Sequence, residues 1–230
     1  MSDRPVLETA MRKRKVILII VFAFIIILLA SVAVPFAVFG IRSKRTESDY
    51  AYLFRENRIQ DVKIDSVPLV RQEISCGYAI IEMLSAYYGN PVTESDLYQQ
   101  NGQSVSTSST AGFVGEINRT IPGKDYVSME YLAADEMILE INRSLLAGDP
   151  VAVEWAAKLD GEWTLHWSVV TGMDQAHVYV CNPYGYTETI SYEEFISRTT
   201  FRAFDPMPFG YYFGFAYGLF SKNTIIVPKG

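Results

Sequence analysis

The chain has 230 residues, 49% of them apolar, with 20 Lys/Arg against 26 Asp/Glu and a formal net charge of −6. That length holds one ordinary domain and a short extra segment. Residues 1–45 carry eight basic and two acidic side chains (+6) and residues 46–230 carry twelve and twenty-four (−12), so the larger part repels nucleic acid and anionic lipid, and neither is expected as its partner.

Residues 1–15 form a basic tail ending in Arg12-Lys13-Arg14-Lys15. Val16–Gly40 is uncharged for 25 residues, enough to cross a ~30 Å hydrocarbon core at ~1.5 Å per residue. The basic cluster before this run outweighs Arg42, Lys44 and Arg45 after it, so the N-terminus is expected inside. Ser31-Val32-Ala33 would suit a cleaved signal, but the apolar run continues to Ile41, so residues 16–41 read as an uncleaved anchor. Residues 42–64 are a polar juxtamembrane stalk in which Tyr50, Tyr52, Leu53 and Phe54 can form a short docking helix. Residues 65–230 are the domain.

Within that domain, Ile80, Met83, Leu84 and Tyr87 follow Cys76 at helical spacing, and Gly89 with Pro91 stops the helix. Thr93 and Asp96 announce a short helix over Glu94–Gln100. Gly102–Gly112 is Ser/Thr-rich and aperiodic, a surface connector that would be of interest only as a lid. Phe113–Thr120 reads as a helix, Asp125–Tyr131 as a strand, and Ala133–Leu146 as a helix closed by Gly148 and Pro150. The chain then turns to strands. Val151–Ala157 and Trp163–Val170 flank an Asp160-Gly161 turn, and Met173–Ala176 leads into His177–Cys181. Thr187–Ile190 is a further strand, and Ser191 with Glu194 caps a helix through Arg198. Phe201–Phe220 is dense in aromatics and reads as core packing of terminal strands; Thr224–Val227 is the last strand. Helices first and sheet second make an α+β fold.

Two cysteines 105 residues apart permit one disulfide but no disulfide framework, and with only two histidines no zinc site is expected. The chemistry centres instead on Cys76. A cysteine at a helix N-terminus faces unpaired N–H groups that favour the thiolate. A thiol nucleophile needs a base, and the base an orienting partner. His166 lies in the strand Trp163–Val170, and Asn182 follows His177–Cys181. Both are equidistant from Asp174, so a hairpin centred there places them face to face, with Cβ atoms ~5 Å apart. Gln72, four residues before the thiol, can join the Cys76 N–H in an oxyanion hole. Singly these residues are ordinary: Cys76 could be a buried structural thiol or pair with Cys181, Asn182 before Pro183 is a turn signal, and His177 reads as a surface residue. Only the joint order Gln, Cys-Gly, His, Asn is specific.

Gln72-Glu73-Ile74-Ser75-Cys76-Gly77, Tyr87-Tyr88-Gly89, the run His166–Gly172 and Val180-Cys181-Asn182-Pro183 resemble the motifs of the double-glycine leader peptidase-like group of papain-like cysteine peptidases, over residues 65–200. The resemblance implies a papain-like α+β domain, N-terminal helices packed on a C-terminal antiparallel sheet. It also implies Cys76 as nucleophile, His166 as general base, Asn182 as orienting residue and Gln72 in the oxyanion hole. No cofactor is implied, and the partner is a peptide or protein substrate. Members of this group usually carry Asp where this chain has Asn182; Asn fills that role in papain itself. With the anchor at residues 16–41, the expectation is a single-pass peptidase facing the outside of a bacterial cell. Two alternatives stand beside it: an amidase or acyltransferase with a non-peptide substrate, and a catalytically silent binding module.

Overall fold

The computed structural model describes residues 4–204 and 206–229, with side chains from Arg14 onward. Two compact units are present, Met1–Ile41 and Arg42–Gly230. The first is built on helix α1 (Arg4–Arg45), which runs through Pro35 without interruption. From Arg14 to Arg45 it is long and apolar enough to cross a membrane, with a mean hydropathy of 3.4 over its apolar 18-residue stretch; a signal sequence at this position would have the same character.

The second unit begins with the one-turn helix α2 (Tyr52–Arg55) and the short strand β1 (Val62–Lys63). Three helices follow: α3 (Cys76–Tyr87), α4 (Glu94–Gln100) and α5 (Thr110–Thr120). Strand β2 (Tyr126–Met129) and helix α6 (Ala134–Leu146) lead into β3 (Val151–Leu159), β4 (Glu162–Met173), β5 (His177–Asn182) and β6 (Tyr186–Ser191). The chain finishes with α7 (Tyr192–Thr199), α8 (Phe209–Ala216) and β7 (Thr224–Pro228). The strands of the described residues form one antiparallel sheet in the order β2-β7-β3-β4-β5-β6, with β1 added to β4. Asp160 and Gly161 both take positive φ (51° and 88°) between β3 and β4, as the tight Asp-Gly hairpin requires.

Alternation along the strands divides two cores. Val151, Val153, Trp155 and Ala157 of β3 pack with Met137, Ile138, Ile141 and Leu145 of α6 and with Phe195 of α7. Ala152 packs on the other face, with Ile80, Met83 and Leu84 of α3 and Phe113 of α5. The sheet is therefore covered by α6 and α7 on one side and by α3, α4 and α5 on the other. A period of two along a strand and of 3.6 along a helix is enough to produce this division.

Three local expectations are corrected. The β4–β5 ladder pairs Val169 with Cys181 and Val170 with Val180, then Gly172 with Tyr179, a bulge at Thr171. Continued, that register sets Asn182 opposite Ser168 and diagonal to His166 rather than directly across from it. Gly102–Gly112 is not a plain connector: it holds a 3₁₀ turn at Ser106–Ser108 and the start of α5, capped by Ser109. Phe201–Phe220 does not form strands but contains helix α8, whose Phe209, Tyr212 and Phe213 are exposed in part while Phe215 is buried.

Candidate active site

Helix α3 starts at Cys76 because Ser75 caps it, its side chain accepting from the Tyr78 N–H at 3.1 Å. The segment before the cap is fixed by a carboxylate. Glu94, at the start of α4, accepts from the N–H groups of Glu73, Ile74 and Ser75 at 2.8, 2.9 and 2.9 Å. Three donors converge on one buried carboxylate and hold the loop that aims Cys76. Gly77 lets the helix start approach the 3₁₀ turn: a Cβ there would stand 2.3 Å from Thr107 Oγ1 and 2.5 Å from Thr107 Cβ.

The backbone N–H groups of Trp167, Gly77 and Cys76 itself lie near enough to the Cys76 thiol to favour its ionised form. Burial nevertheless dominates and pushes the thiol above its usual pKa, with the nearby Glu154 acting in the same direction against the three amides. Burial thus opposes the thiolate that the helix N-terminus favours and holds the group toward the thiol. Cys76 and Cys181 are both unpaired, so the disulfide alternative is absent.

His166 Nε2 and Asn182 Oδ1 are 3.0 Å apart in the buried interior. The orientation of the Asn182 amide is settled by its other partners. Its Oδ1 also accepts from the Tyr184 N–H at 2.9 Å, and its Nδ2 donates to Glu188 Oε1 at 2.8 Å. A backbone N–H cannot accept and a carboxylate cannot donate, so the carbonyl end faces His166. Nε2 therefore carries the proton and Nδ1 is left as the basic nitrogen. Burial lowers the His166 pKa to about 4, only partly offset by the bond to Asn182, so the imidazole is neutral at ordinary pH. Tyr184 stacks on the ring with centroids 4.0 Å apart, its hydroxyl 2.8 Å from Thr164 Oγ1. Tyr184 also lies close enough to Cys76 for a thiolate there to raise its own pKa.

Gln72 joins the same cluster through its backbone N–H, which donates to the Pro183 carbonyl at 2.7 Å. Its side-chain Oε1 is buried without a partner. Of the four residues expected at the site, Asn182 lies on His166, Gln72 is tied by its backbone to Pro183 beside Asn182, and Cys76 lies near the amide of Trp167, the residue after His166. His177 is not among them, being a half-exposed residue 3.5 Å from Asp174 in the β4–β5 turn. Sequence reasoning missed Glu94, Tyr184, Thr107 and Glu154. Tyr184 had a faint signal, standing two residues after Asn182 in an Asn-Pro-Tyr turn. The other three act on Cys76 from 18 or more residues away, where spacing carries no information. Among the described residues no group of three His, Cys, Asp or Glu side chains is placed to hold a metal.

A thiol at a helix start, set against an imidazole–amide pair on an antiparallel sheet, defines the papain-like class of cysteine-peptidase folds. The model of the Peptidase_C39 like family matches residues 64–206, and the chain belongs to that family. Among solved structures, a Bacillus anthracis protein assigned by name to the C39-like peptidases shares the fold, with a TM-score of 0.50 at 17% identity over 74% of this chain and 98% of its own. A double glycine motif protease from an AMS/PCAT transporter, solved in complex with the leader peptide, gives 0.49 at 18% identity over 74% and 98%. The peptidase domain of Streptococcus ComA, a bi-functional ABC transporter involved in a quorum-sensing pathway, gives 0.47 at 18% over 70% and 97%. A comparison with curated proteins finds no relative of similar sequence.

Proposed function

We propose that the chain is a membrane-anchored cysteine peptidase that hydrolyses a peptide or amide bond through a thioester on Cys76. The observation that carries this reading is the His166–Asn182 pair, fixed in the tautomer that leaves Nδ1 basic. A neutral imidazole and a protonated thiol are the reactants of a general-base step. As Sγ attacks the carbonyl carbon, the thiol proton passes to His166 Nδ1 and the imidazolium is held by Asn182 Oδ1. The carbonyl oxygen becomes an oxyanion, received by the Cys76 N–H and the Gln72 side-chain amide. Collapse expels the amine, which takes the proton from His166. Water, deprotonated by the same nitrogen, then cleaves the thioester to the acid and restores the thiol.

The proposed organisation is a basic tail at 1–15 inside a bacterial cell, a spanning helix at 16–41, a stalk at 42–64 and the peptidase domain at 65–230 outside. The length and apolar character of α1 support the anchor. The test is a Cys76→Ala protein, expected to lose turnover entirely, together with iodoacetamide labelling, expected to be faster at Cys76 than at the more deeply buried Cys181. Activity surviving the substitution, or equal labelling of both cysteines, overturns the reading.

A further inference from the structure

Beside the thiol lies a cavity of about 170 Å³, walled by Cys76, Gly77, Thr107, Leu165, Trp167 and Glu154, with Leu219 and Phe220 closing one side. Glu154 is its anomaly. Alternation along β3 turns this residue to the α3 face, opposite Trp167 in the ladder. It is 3% exposed, and its Oε2 is buried with no hydrogen-bond partner, while the nearby Ser221 N–H favours its ionised form. A second acid, Glu130, is near enough to disfavour its ionisation, and among the described residues neither acid has a salt-bridge partner. A buried carboxyl without a cation is costly and ordinarily absent unless something pairs with it. Glu154 has no part in the reaction as written above.

We propose that Glu154 is the floor of a specificity subsite that receives a cationic side chain, Lys or Arg, from a substrate residue flanking the scissile bond. This deepens the peptidase reading and rests on it for the substrate. The cavity touches Cys76, so its occupant adjoins the bond under attack. Its volume compares with the roughly 150 Å³ cavity known to hold a benzene ring, room for an alkyl stem and an ammonium group. The lining combines apolar Leu165, Trp167 and Phe220 with the Ser/Thr hydroxyls of Ser75 and residues 107–110 and the acid Glu154, a mixture that suits an alkylammonium. An ammonium donates to the open Oε2 and offsets Glu130 as well, which a neutral donor cannot do. The acidic balance of residues 46–230, −12, draws cations toward the domain.

The test uses the full-length chain and n-butylammonium as the probe, with 1-butanol as its neutral counterpart. In Cys76→Ala protein carrying ¹³C-labelled Glu carboxyls, butylammonium at pH 6.5 is expected to move the Glu154 signal saturably from the protonated toward the ionised position. Butanol is expected not to, and Glu154→Gln is expected to abolish the saturable response. With turnover peptides, Lys or Arg at one position flanking the cleaved bond is expected to raise kcat/KM at least 10-fold over norleucine, a ratio that falls to near one in Glu154→Gln. No saturable shift, an equal response to butanol, or a Lys preference retained in Glu154→Gln overturns the subsite. If Cys76 alkylates normally while Glu154 ignores the probe, the subsite fails and the peptidase reading stands. If the probe binds Glu154 but Cys76 is inert to iodoacetamide, the peptidase reading fails and the cation site stands.

Discussion

Asn182 donates its side-chain amide to Glu188 Oε1 at 2.8 Å, and Glu188 is held in turn by Arg198 at 2.7 Å. This bond explains why the orienting residue is an amide. A carboxylate in its place would face the Glu188 carboxylate without a proton between them, and only Arg198 would offset the two charges. The neutral amide lets Glu188 and Arg198 remain a closed pair while its carbonyl serves His166.

Asn182→Asp is therefore expected to act through charge rather than through lost geometry. A new negative charge on the imidazole favours its protonated form, so the acid limb of the pH profile of kcat/KM moves upward by about one unit or more. Adding Glu188→Gln, which can donate to the new carboxylate, is expected to recover stability and keep the shifted limb. A profile of Asn182→Asp that coincides with the parent would remove Asn182 from its role beside His166.

Glu94 is expected to be the most sensitive position outside the proposed reacting groups. Its carboxylate takes three backbone N–H donors from Glu73, Ile74 and Ser75, and each charge-assisted bond contributes about 1.5 kcal/mol or more. Glu94→Ala releases the loop before the nucleophile, so kcat should fall about 100-fold or more, with a lower thermal midpoint. Glu94→Gln keeps the shape but turns two N–H donors toward the loop, and should recover little of either. Turnover of Glu94→Ala at the parental rate would show that the loop holds its course without the carboxylate.

Much of this was legible because it is local. The helix from Cys76, the helix closed by Gly148, the Asp160-Gly161 hairpin and the capped helix after Ser191 each follow from spacing and end signals within a dozen residues. The alliance of His166 with Asn182 was legible too, although for an imperfect reason. The ladder is not centred on Asp174: with the one-residue bulge at Thr171 included, its pairing near the site is offset by two residues from that centre, and an offset of two preserves the face, so the side chains still meet, along a diagonal. What sequence could not carry was burial. The helix N-terminus argues for a thiolate, but burial of Cys76 argues more strongly for a thiol, and only the fold supplies that burial. Glu94 and Glu154 escaped for the same reason, since their meaning lies in partners, or the lack of one, supplied by other elements. The aromatic run before β7 misled because apolar content fixes neither period nor burial, and it became a helix with a partly exposed face.

Gly77→Ala tests the close approach between α3 and the 3₁₀ turn. The added methyl would meet Thr107 Oγ1 and Cβ at 2.3 and 2.5 Å, so the turn must move away from the thiol. Overpacking of this kind costs about 1–3 kcal/mol, to be read as a lower urea midpoint. Because the Thr107 Cβ itself is in the way, Thr107→Ser should not rescue the variant, whereas Thr107→Gly should restore part of the midpoint. Full rescue by Thr107→Ser would place the conflict on the methyl group alone and contradict the geometry.

His166 and Glu154 together shape the pH dependence of stability in opposite senses. The fold holds His166 neutral down to about 4, while in the unfolded chain it takes its proton near the ordinary pKa of ~6.5; its contribution is present above that value and lost as pH falls toward 4. The fold keeps the Glu154 proton up to about 8, while the unfolded chain releases it near ~4.3; its contribution is present at low pH and lost as pH rises toward 8. Between roughly 4.5 and 6.5 the two slopes cancel, and above 6.5 only Glu154 acts, at up to about 1.4 kcal/mol per pH unit. Urea unfolding of the full-length chain in detergent micelles is therefore expected to show a loss of about 2 kcal/mol between pH 6.5 and 8. Glu154→Gln has no proton to release and should flatten that alkaline limb while leaving the acid one in place. An alkaline limb of equal slope in the variant would assign the loss to another group and return Glu154 to an ordinary ionised carboxylate.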